Sequence, residues 1–376
     1  MDWLDQGAPP TRTPSEVLLH LSRRLVELGL PLYRVAVFVR TLHPNVLGRA
    51  FIWHRDQAQI EVTSVPHSWQ QSEQFLQSPV RVVFQQHVEI RRRLSEPGCP
   101  MDFPVLEDFR REGMTDFVAL PLNFINGDVH AASFATQRAG GFTEAELQTL
   151  RRLMPPFSRV AEIYALMRVA HNILDAYLGQ QAGEKVLSGH IRRGDGEEIH
   201  AVIWFCDLRD STPLAESMSR DAFLRLLNEF FECVLEPVLE RKGEVLRFIG
   251  DAALAIFPVS NDPREACGRA LDAARAAISR MDRLNQGRKV PLRFGIGLHL
   301  GDVLYGNIGT PSRIEFTVIG AAANEAARIE GLCKALDAPL LLSERVVQYL
   351  QGDFVSLGRH ALRGVGEPVE IFALRR

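Results

Sequence analysis

The fold of the C-terminal half is decided by the segment Ala201-Val-Ile-Trp-Phe-Cys-Asp-Leu-Arg-Asp-Ser-Thr-Pro213. It starts as an unbroken apolar run, which is typical of a strand buried on both faces, and this run ends in the acid Asp207. Thr212 and Pro213 then suit the cap and the first turn of a helix. A strand that places a carboxylate beside a helix N-terminus favours a metal ion and a phosphate at the same point.

A second carboxylate has a similar setting further along the chain. The apolar stretches Glu244–Ile249 and Ala252–Phe257 predict two strands joined at Gly250-Asp251, so the hairpin tip exposes Asp251. Asp207 and Asp251 meet if their strands are neighbours in one sheet. Paired carboxylates near a phosphate cradle suit Mg²⁺, a hard ion that prefers oxygen ligands.

The elements that follow complete a characteristic order. Alternation over Leu292–Leu300 predicts a strand, and Gly301-Asp302 is predicted to turn the chain into a further strand at Val303–Ile308. With the helical patterns between the strands, the order after residue 200 is β-α-β-β-α-β followed by more strands. This order predicts an α+β, ferredoxin-like domain with its helices on one face of an antiparallel sheet.

A further pair of polar residues lies on a predicted helix at Ala321–Lys334. Asn324 and Arg328 stand at positions i and i+4 of this helix, so they share one face. An amide and a guanidinium on one face can grip a ribose and a phosphate. Taken alone, such a pair is more often a solvated or capping pair.

Five segments in this order resemble the catalytic domain of the class III nucleotidyl cyclases. They are Phe205–Thr212, Arg247–Phe257, Gly295–Gly309, Phe316–Gly320 and Asn324–Arg328. The resemblance covers about residues 198–376, and we place the catalytic domain at residues 200–376. It implies that ATP or GTP is converted to a 3′,5′-cyclic nucleotide and pyrophosphate.

The resemblance also implies a role for each matching residue. Asp207 and Asp251 match the two metal-binding aspartates, with the Leu208 carbonyl as a further ligand, for two Mg²⁺ or Mn²⁺ ions in each active site. Asn324 matches the residue that orients the ribose, and Arg328 the one that stabilises charge on the reacting phosphate. The positions expected to bind phosphate are Leu208, Arg209, Asp210, Ser211, Thr212 and Arg363. Because this family takes its metal aspartates from one subunit and its Asn and Arg from the other, the resemblance implies a homodimer.

Arg247 and Thr317 fall at the two base-recognising positions of the family. Adenylate cyclases usually carry Lys at the first position, and guanylate cyclases usually carry Glu. Arg is donor-only, like Lys, and Thr317 fits a subset of adenylate cyclases that includes bicarbonate-responsive members. Only four of the chain's 43 basic residues are lysines, so an Arg at a family Lys position is compatible with drift.

These residues predict an adenylate cyclase of the Thr-bearing subset that acts on ATP. Two alternatives stay open. The first is a guanylate cyclase, since Arg also bonds the O6 and N7 atoms of guanine. The second is a catalytically silent cyclase-like domain that serves as a binding or dimerisation module.

The N-terminal half predicts a separate domain. Residues 1–14, with Gly7 and three prolines, predict a flexible leader. A helix, several strands, a hairpin with its turn at residues 123–128 and a long helix capped by Thr143 then follow. This order resembles a GAF domain, an antiparallel sheet with flanking helices, over residues 15–165. Such domains bind small molecules or only dimerise, so an unknown small-molecule ligand is one of two open readings.

Residues 166–199 are predicted to form a helical linker between the two domains. Leu166, Val169, Ile173 and Tyr177 follow one another at a spacing of three or four residues, which makes a narrow apolar stripe. The stripe suits the seam of a parallel coiled coil, or it packs against its own domain. Either way, the order of the domains implies that the sensor-like domain regulates the catalytic one.

Composition excludes several other classes of protein. The net charge of −3 provides no broad basic field for nucleic acid or for an anionic membrane. The five cysteines are scattered without a CxxC pair, which argues against a disulfide scaffold. The N-terminus has no signal-peptide pattern, and no apolar run approaches the roughly 20 residues of a membrane span. We therefore expect a cytoplasmic protein.

Overall fold

The structure, a computed structural model, describes residues 2–375. The chain divides into two compact units, with the boundary between Ala176 and Tyr177. Among the described residues, no helix is both long and apolar enough to cross a membrane.

The first unit is built on one six-stranded sheet. Its strands are β1 (Arg34–Arg40), β2 (Val46–His54), β3 (Glu61–Pro66), β4 (Ile90–Arg92), β5 (Asp116–Asn123) and β6 (Val129–Thr136). Its helices are α1 (Asp2–Asp5), α2 (Pro14–Glu27), α3 (Glu73–Leu76), α4 (Pro79–Gln86), α5 (Val105–Arg111) and α6 (Glu144–Leu178), with a 3-10 turn at His67–Gln71. The strand order is β3-β2-β1-β6-β5-β4, and every neighbouring pair is antiparallel.

Helices cover both faces of this sheet. On one face, α2 and α6 bury residues such as Leu21 and Leu150 against Phe134. On the other face, α4 and α5 bury residues such as Val83 and Leu106. An antiparallel sheet with flanking helices is therefore present, as the sequence predicts for this half.

Local signals account for the hairpin and for the long helix. Strands β5 and β6 pair from Asp116–Thr136 up to Asn123–Val129, with the predicted turn between them. At the start of α6, Thr143 Oγ1 accepts the Glu146 N–H at 3.3 Å, and the Glu146 carboxylate accepts the Thr143 N–H at 2.7 Å. This reciprocal capping box confirms Thr143 as the cap of the helix.

The predicted flexible leader is wrong for residues 2–8. These residues include helix α1, and both Leu4 and Ala8 are buried in the same apolar core as α2 and α6. The prediction failed because Gly and Pro indicate turns, whereas a turn-rich segment can still pack through its few apolar side chains. Met1 lies outside the described residues.

The stripe on α6 leaves much of its apolar surface in contact with solvent. Leu166 is 59% exposed and Ile173 is 37% exposed. Packing against the helix's own domain therefore does not cover these two side chains. The coiled-coil seam stays a prediction, now supported by their exposure.

The second unit is built on an eight-stranded sheet. Its strands are β7 (Gly196–Leu208), β8 (Glu244–Ile249), β9 (Ala252–Pro258), β10 (Phe294–Thr310), β11 (Arg313–Ile319), β12 (Leu340–Ser343), β13 (Phe354–His360) and β14 (Val369–Leu374). Its helices are α7 (Gln180–Leu187), α8 (Ser211–Ser217), α9 (Arg220–Glu240), α10 (Pro263–Asn285), α11 (Ala321–Leu332) and α12 (Glu344–Val347).

The predicted β-α-β-β-α-β order is confirmed in β7, α9, β8, β9, α10 and β10. The sheet runs in the order β13-β14-β12-β10-β7-β9-β8, with β11 paired to β10. Alternate residues of β7 supply the two faces. Trp204 packs on the face covered by α9 and α10, and Ile203 packs on the opposite face with residues of α7 and α11.

Two details of the predicted layout are therefore wrong. The helices do not lie on one face only, because α7 and α11 bury Ala182 and Ala326 on the second face. The sheet is also not purely antiparallel, because β12 pairs with β10 in parallel. Small apolar residues of α7 and α11 cover the face of the sheet that a ferredoxin-like fold leaves open.

The predicted turn at Gly301-Asp302 is also wrong. Strand β10 continues without a break, since Gly301 pairs with Ala201 of β7 and Asp302 pairs with His200. A Cβ atom on Gly301 would lie only 2.7 Å from the Ala322 Cβ of α11. The glycine therefore allows the helix to approach the strand and does not mark a turn.

We predict that Gly297→Ala destabilises the second unit. A Cβ atom there would lie 2.5 Å from both the Ala326 carbonyl oxygen and the Glu330 backbone nitrogen, so α11 must shift. Overpacking of this kind costs about 1–3 kcal/mol. Denaturant unfolding, combined with hydrogen exchange at the α11 amides, measures the loss.

Gly268→Ala in α10 is the matched control, because nothing lies within 4 Å of its added Cβ atom. It is expected to stabilise the helix by about 0.5–1 kcal/mol. Unchanged stability and unchanged exchange in the Gly297→Ala protein would contradict the close packing of α11.

Candidate active site

Strand pairing brings the two predicted metal aspartates together. Strands β7 and β9 are neighbours, and Asp207 pairs with Ala252, the residue that follows Asp251. Asp251 occupies the β8–β9 turn beside Gly250, whose φ of 66° lies in the left-handed region that favours glycine. The Leu208 N–H donates to the Asp251 carbonyl oxygen at 3.4 Å, which ties the turn to the end of β7.

The charge of Asp251 disfavours the ionised form of Asp207. Burial and then the negative charge of Asp251 raise the pKa of Asp207 well above its usual range. The Oδ1 atom of Asp207 is buried and has no hydrogen-bond partner among residues 2–375. The pair is therefore an anionic site that its own surroundings leave unbalanced.

A third carboxylate, which the sequence reasoning missed, lies near this pair. Glu330 of α11 is buried, and burial together with the charge of Asp207 raises its pKa to about 7. Its side chain lies over Gly295, which pairs with Asp207 across the sheet. The run of glycines in β10 was the available signal, because small residues on a strand allow a helix to pack closely above it.

The segment after β7 differs in two ways from its prediction. Helix α8 begins at Ser211 and its cap is Asp210, so Thr212 stands inside the first turn and is not the cap. The Arg209 guanidinium donates to the carbonyl oxygens of Cys333 and Ala338 at 2.6 and 2.7 Å. It therefore anchors the C-terminal end of α11. Because these two hydrogen bonds engage its Nη2 group, the structure does not support the predicted role of Arg209 in phosphate binding.

The backbone at the start of α8 can still bind a phosphate. The Asp210 carboxylate accepts from Lys334 at 2.8 Å and from Arg293 at 2.9 Å, so its side chain is already paired. Ser211 and Thr212 stand in the first turn of α8, where backbone N–H groups have no acceptor within the helix. Phosphate binding by this segment stays a prediction that depends on those N–H groups.

The predicted Asn324 and Arg328 lie together on α11, as their spacing requires. The helix buries Ala322, Ala326 and Ile329 towards the sheet. Asn324 and Arg328 lie on the opposite side of the helix, with Asn324 exposed and Arg328 half-buried. Within residues 2–375, neither side chain forms a hydrogen bond or an ion pair.

Arg363 lies in the same neighbourhood as Arg328. A Cβ atom built on the next residue, Gly364, would lie 3.7 Å from Arg328 Nη1. Arg363 itself is exposed, while Leu362 before it is buried and holds the loop in place. The loop that carries Arg363 thus passes beside the Arg328 side chain.

The predicted base-recognising residues are brought together by a residue that the sequence reasoning missed. Arg247 of β8 forms a two-point ion pair with Glu315 of β11, through its Nε and Nη2 atoms. Thr317 lies two residues further on, so it shares a face of β11 with Glu315. Thr317 is 3% exposed, and its Oγ1 has no hydrogen-bond partner among the described residues. Alternation along β11 was the signal that could have identified Glu315.

Known proteins resemble this chain over the same region. The model of the adenylate and guanylate cyclase catalytic domain matches residues 197–375. An adenylate cyclase of Anabaena cylindrica is 36% identical over 169 residues, which are 43% of this chain and 33% of that protein. An uncharacterized protein of Mycobacterium tuberculosis is 36% identical over 214 residues, which are 54% of this chain and 38% of that protein. The chain thus spans less than two fifths of the length of these curated relatives.

A solved structure supports the fold. A bacterial light-regulated adenylyl cyclase aligns with a TM-score of 0.51 at 18% identity, covering 72% of this chain and 88% of that one. The family match covers the strands that carry Asp207, Arg247 and Thr317, the turn that carries Asp251 and the helix that carries Asn324 and Arg328. Residues 197–375 are a class III adenylate and guanylate cyclase catalytic domain.

Proposed function

We propose that this protein is an adenylate cyclase that converts ATP to 3′,5′-cyclic AMP and pyrophosphate at the interface of a homodimer. The observation that carries the proposal is the meeting of Asp207 and Asp251 at the ends of neighbouring strands. The proposal is supported by the family of residues 197–375 and by the adenylate cyclase among its relatives.

The residues present fit a divalent metal. Asp207 and Asp251 supply hard oxygen ligands, and the buried, unpartnered Oδ1 of Asp207 lacks a positive group that a cation would provide. Among residues 2–375 no group of three or more His, Cys, Asp or Glu side chains is arranged to hold a metal. The Leu208 carbonyl, at the last position of β7, is the protein's further candidate ligand.

Each residue then has a defined task in the reaction. Bound Mg²⁺ or Mn²⁺ would lower the pKa of the ribose 3′-OH and neutralise phosphate charge. Asp207 and Asp251 would hold these ions at the end of β7, beside the first turn of α8. Asn324 orients the ribose so that its 3′ oxygen is in line with the α-phosphate. Arg328 supplies fixed positive charge as the phosphate gains negative charge in the transition state.

The geometry of α11 supports a site shared between two subunits. Its buried face lies against the sheet that carries Asp207, so Asn324 and Arg328 point away from that sheet. A second copy related by two-fold symmetry can present its own Asn324 and Arg328 to the aspartates of the first. Two equivalent sites would then form in each dimer.

We predict that Asp251→Asn and Arg328→Ala each lower turnover of ATP by about 100-fold or more, because each removes charge complementary to the transition state. Mixed together, the two variants are expected to recover about a quarter of the wild-type activity. Half of randomly formed dimers are mixed, and each mixed dimer holds one intact site. Cyclic AMP formation with Mg²⁺ or Mn²⁺ measures both effects.

Each variant alone, held at the same total concentration, is the control for the mixture. No recovery on mixing, with dimers still formed, would contradict the shared site. Full activity in Asp251→Asn would contradict the metal assignment. Absence of turnover in the wild-type protein with either nucleotide would favour the silent module.

We predict that Asp251→Asn also stabilises the metal-free protein at neutral pH. The raised pKa of Asp207 means that the folded protein holds this proton more tightly, so stability falls as pH rises from about 4 towards neutral. Removing the neighbouring charge lowers that pKa, and the gain at neutral pH is up to about 1 kcal/mol in this solvent-screened pair.

Urea unfolding at acid and neutral pH, with a chelator present, measures this effect. Asp282→Asn in α10 is the control, because this exposed carboxylate stands away from the pair. A loss of stability in Asp251→Asn equal to that of an ordinary core substitution would contradict the repulsion between the two aspartates.

The Arg247–Glu315 pair bears on the choice of base. The ion pair occupies Nε and one hydrogen of Nη2, which leaves Nη1 free to donate to adenine N1. The Thr317 hydroxyl can accept from the adenine amino group. While Arg247 is in place, the Glu315 carboxylate is not available to a base.

A guanylate cyclase is the second candidate, and Glu315 is the observation that favours it. Guanine presents N1–H and N2–H₂ donors, which a carboxylate accepts well. If Arg247 rotated away on binding, Glu315 would be placed beside the base. Comparison of cyclic AMP and cyclic GMP formation by the wild-type protein decides between the two candidates, and faster cyclic GMP formation would overturn the first.

We predict that Arg247→Lys keeps the preference for ATP, since Lys is also a donor-only group. Arg247→Ala is expected to shift the ratio of ATP to GTP turnover towards GTP by about tenfold, because it releases a charged acceptor. The double substitution Arg247→Ala/Glu315→Gln should cancel the shift. A shift of equal size in the double variant would show that Glu315 does not read the base.

The N-terminal unit is proposed as a GAF-like sensor that regulates the cyclase. Its sheet order and flanking helices fit that class of domain. The exposed side chains of Leu166 and Ile173 support a helical seam between two copies of the linker. A change in how two such helices pair would alter how two catalytic domains meet.

A further inference from the structure

The N-terminal unit contains a cavity of about 520 Å³ that none of the roles above uses. It lies between α2, α6 and strands β1 and β2, on the face of the sheet opposite α4 and α5. Its apolar wall includes Leu18, Val37, Phe51 and Val160. This volume falls within the roughly 300–1,000 Å³ that is typical of small-molecule sites.

Three cationic side chains line the same cavity without a balancing acid. Arg12 precedes α2, Arg49 lies on β2 and Arg168 lies on α6. Within residues 2–375, their guanidinium groups form no ion pair or hydrogen bond. Burial and the charge of Arg168 lower the pKa of Arg49, so two of these cations repel each other at the cavity wall.

Some other arginines of this unit are paired with acids. Arg91 pairs with Asp116 at 2.6 Å, and Arg40, which also lines the cavity, pairs with Asp128 at 3.7 Å. The Glu16 carboxylate accepts the Arg12 backbone N–H at 2.7 Å and does not line the cavity. Arg12, Arg49 and Arg168 therefore form a group of unpaired cations around one cavity.

The walls of the cavity are tied together on both sides. The Tyr164 hydroxyl donates to the Thr11 carbonyl oxygen at 3.0 Å, which links α6 to the segment before α2. The buried Asn172 donates to Thr41 Oγ1 at 3.1 Å, which links α6 to the end of β1. The site is therefore formed in the single chain.

We infer that this cavity binds an anionic amphiphile, a molecule with a carboxylate or phosphate group on an apolar body. The aliphatic and aromatic walls bury the body, and Arg49 and Arg168 hold the anion. Among the described residues that line the cavity there is no Asp or Glu, so an anionic group meets no like charge there and a hard cation finds no carboxylate ligand. This inference does not rest on the proposed cyclase activity, because binding is measured directly.

Isothermal titration of the full chain tests the inference with four probes kept below their micelle concentrations. Dodecanoate and dodecyl phosphate carry both features, dodecanol carries only the apolar body, and inorganic phosphate carries only the charge. We expect one molecule of either anionic amphiphile to bind per chain. Neither dodecanol nor inorganic phosphate is expected to bind at comparable concentration. Equal affinity for dodecanol would overturn the role of the arginines.

Substitutions distinguish the contribution of the arginine charges to binding from that of the cavity volume. Arg49→Gln/Arg168→Gln is expected to weaken dodecanoate binding about tenfold or more, since two charge-assisted contacts are lost. Arg152→Gln is the matched control, because Arg152 is exposed on α6 and does not line the cavity. Ala161→Phe keeps the charges and fills the cavity, so it should abolish binding while circular dichroism shows an unchanged fold.

Other occupants are outcomes that would overturn the inference. Binding to phosphatidylglycerol vesicles without binding to free dodecanoate would assign the arginines to a membrane surface. Loss of dodecanoate binding as protein concentration rises into the range of dimers would mean that a second copy fills the cavity. Turnover of ATP, recorded in parallel, fails or succeeds independently of these results.

Discussion

The close approach of α11 to β10 is the constraint on which the catalytic unit depends. Glycines at 295, 297 and 301 leave room for the helix, since an added Cβ at any of them would meet an atom of α11 or the residue after it. This packing fixes the rotation of α11 about its own axis. Glu330 is turned inward towards Asp207, and Arg328 is turned outward. This packing contact thus decides that Glu330 lies beside the aspartate pair, whereas Arg328 is left facing away from the sheet.

The same unit tolerates a local cost in stability at the point of function. Burial and the charge of Asp251 raise the pKa of Asp207, and the buried carboxylate of Glu330 lies nearby. An ordinary hydrophobic core excludes such a cluster of acids. Apolar packing of β7 on both faces, with Trp204 fully buried, holds the strand end in place against this repulsion. The middle of β7 therefore supplies stability, because its alternate residues pack into the cores on both faces of the sheet. The end of the same strand supplies the charge of Asp207.

The sequence predicted the positions of the candidate catalytic residues better than it predicted the residues that hold them in place. Asp207 and Asp251 could be placed because strand ends and a hairpin tip are local features, and so could Asn324 and Arg328, which depend on helical spacing. Residues whose role depends on a distant partner were missed or misplaced. Arg209 bonds carbonyl groups beyond α11, Glu315 meets Arg247 across two strands, and Gly301 serves a helix that follows much later in the chain. Local patterns carry no information about such contacts, so these roles needed the structure.

Unbalanced charge is what the two units have in common. In a chain whose basic residues are mostly arginine, many arginines are already matched to acids, as Arg91, Arg138 and Arg247 are. The second unit leaves Asp207 and Arg328 without partners of opposite charge, and the first leaves Arg49 and Arg168 facing one cavity. Because an unbalanced charge attracts a group of the opposite sign, each set indicates the sign of a ligand that would fit: a cation at the aspartates, and an anion at Arg328 and in the cavity.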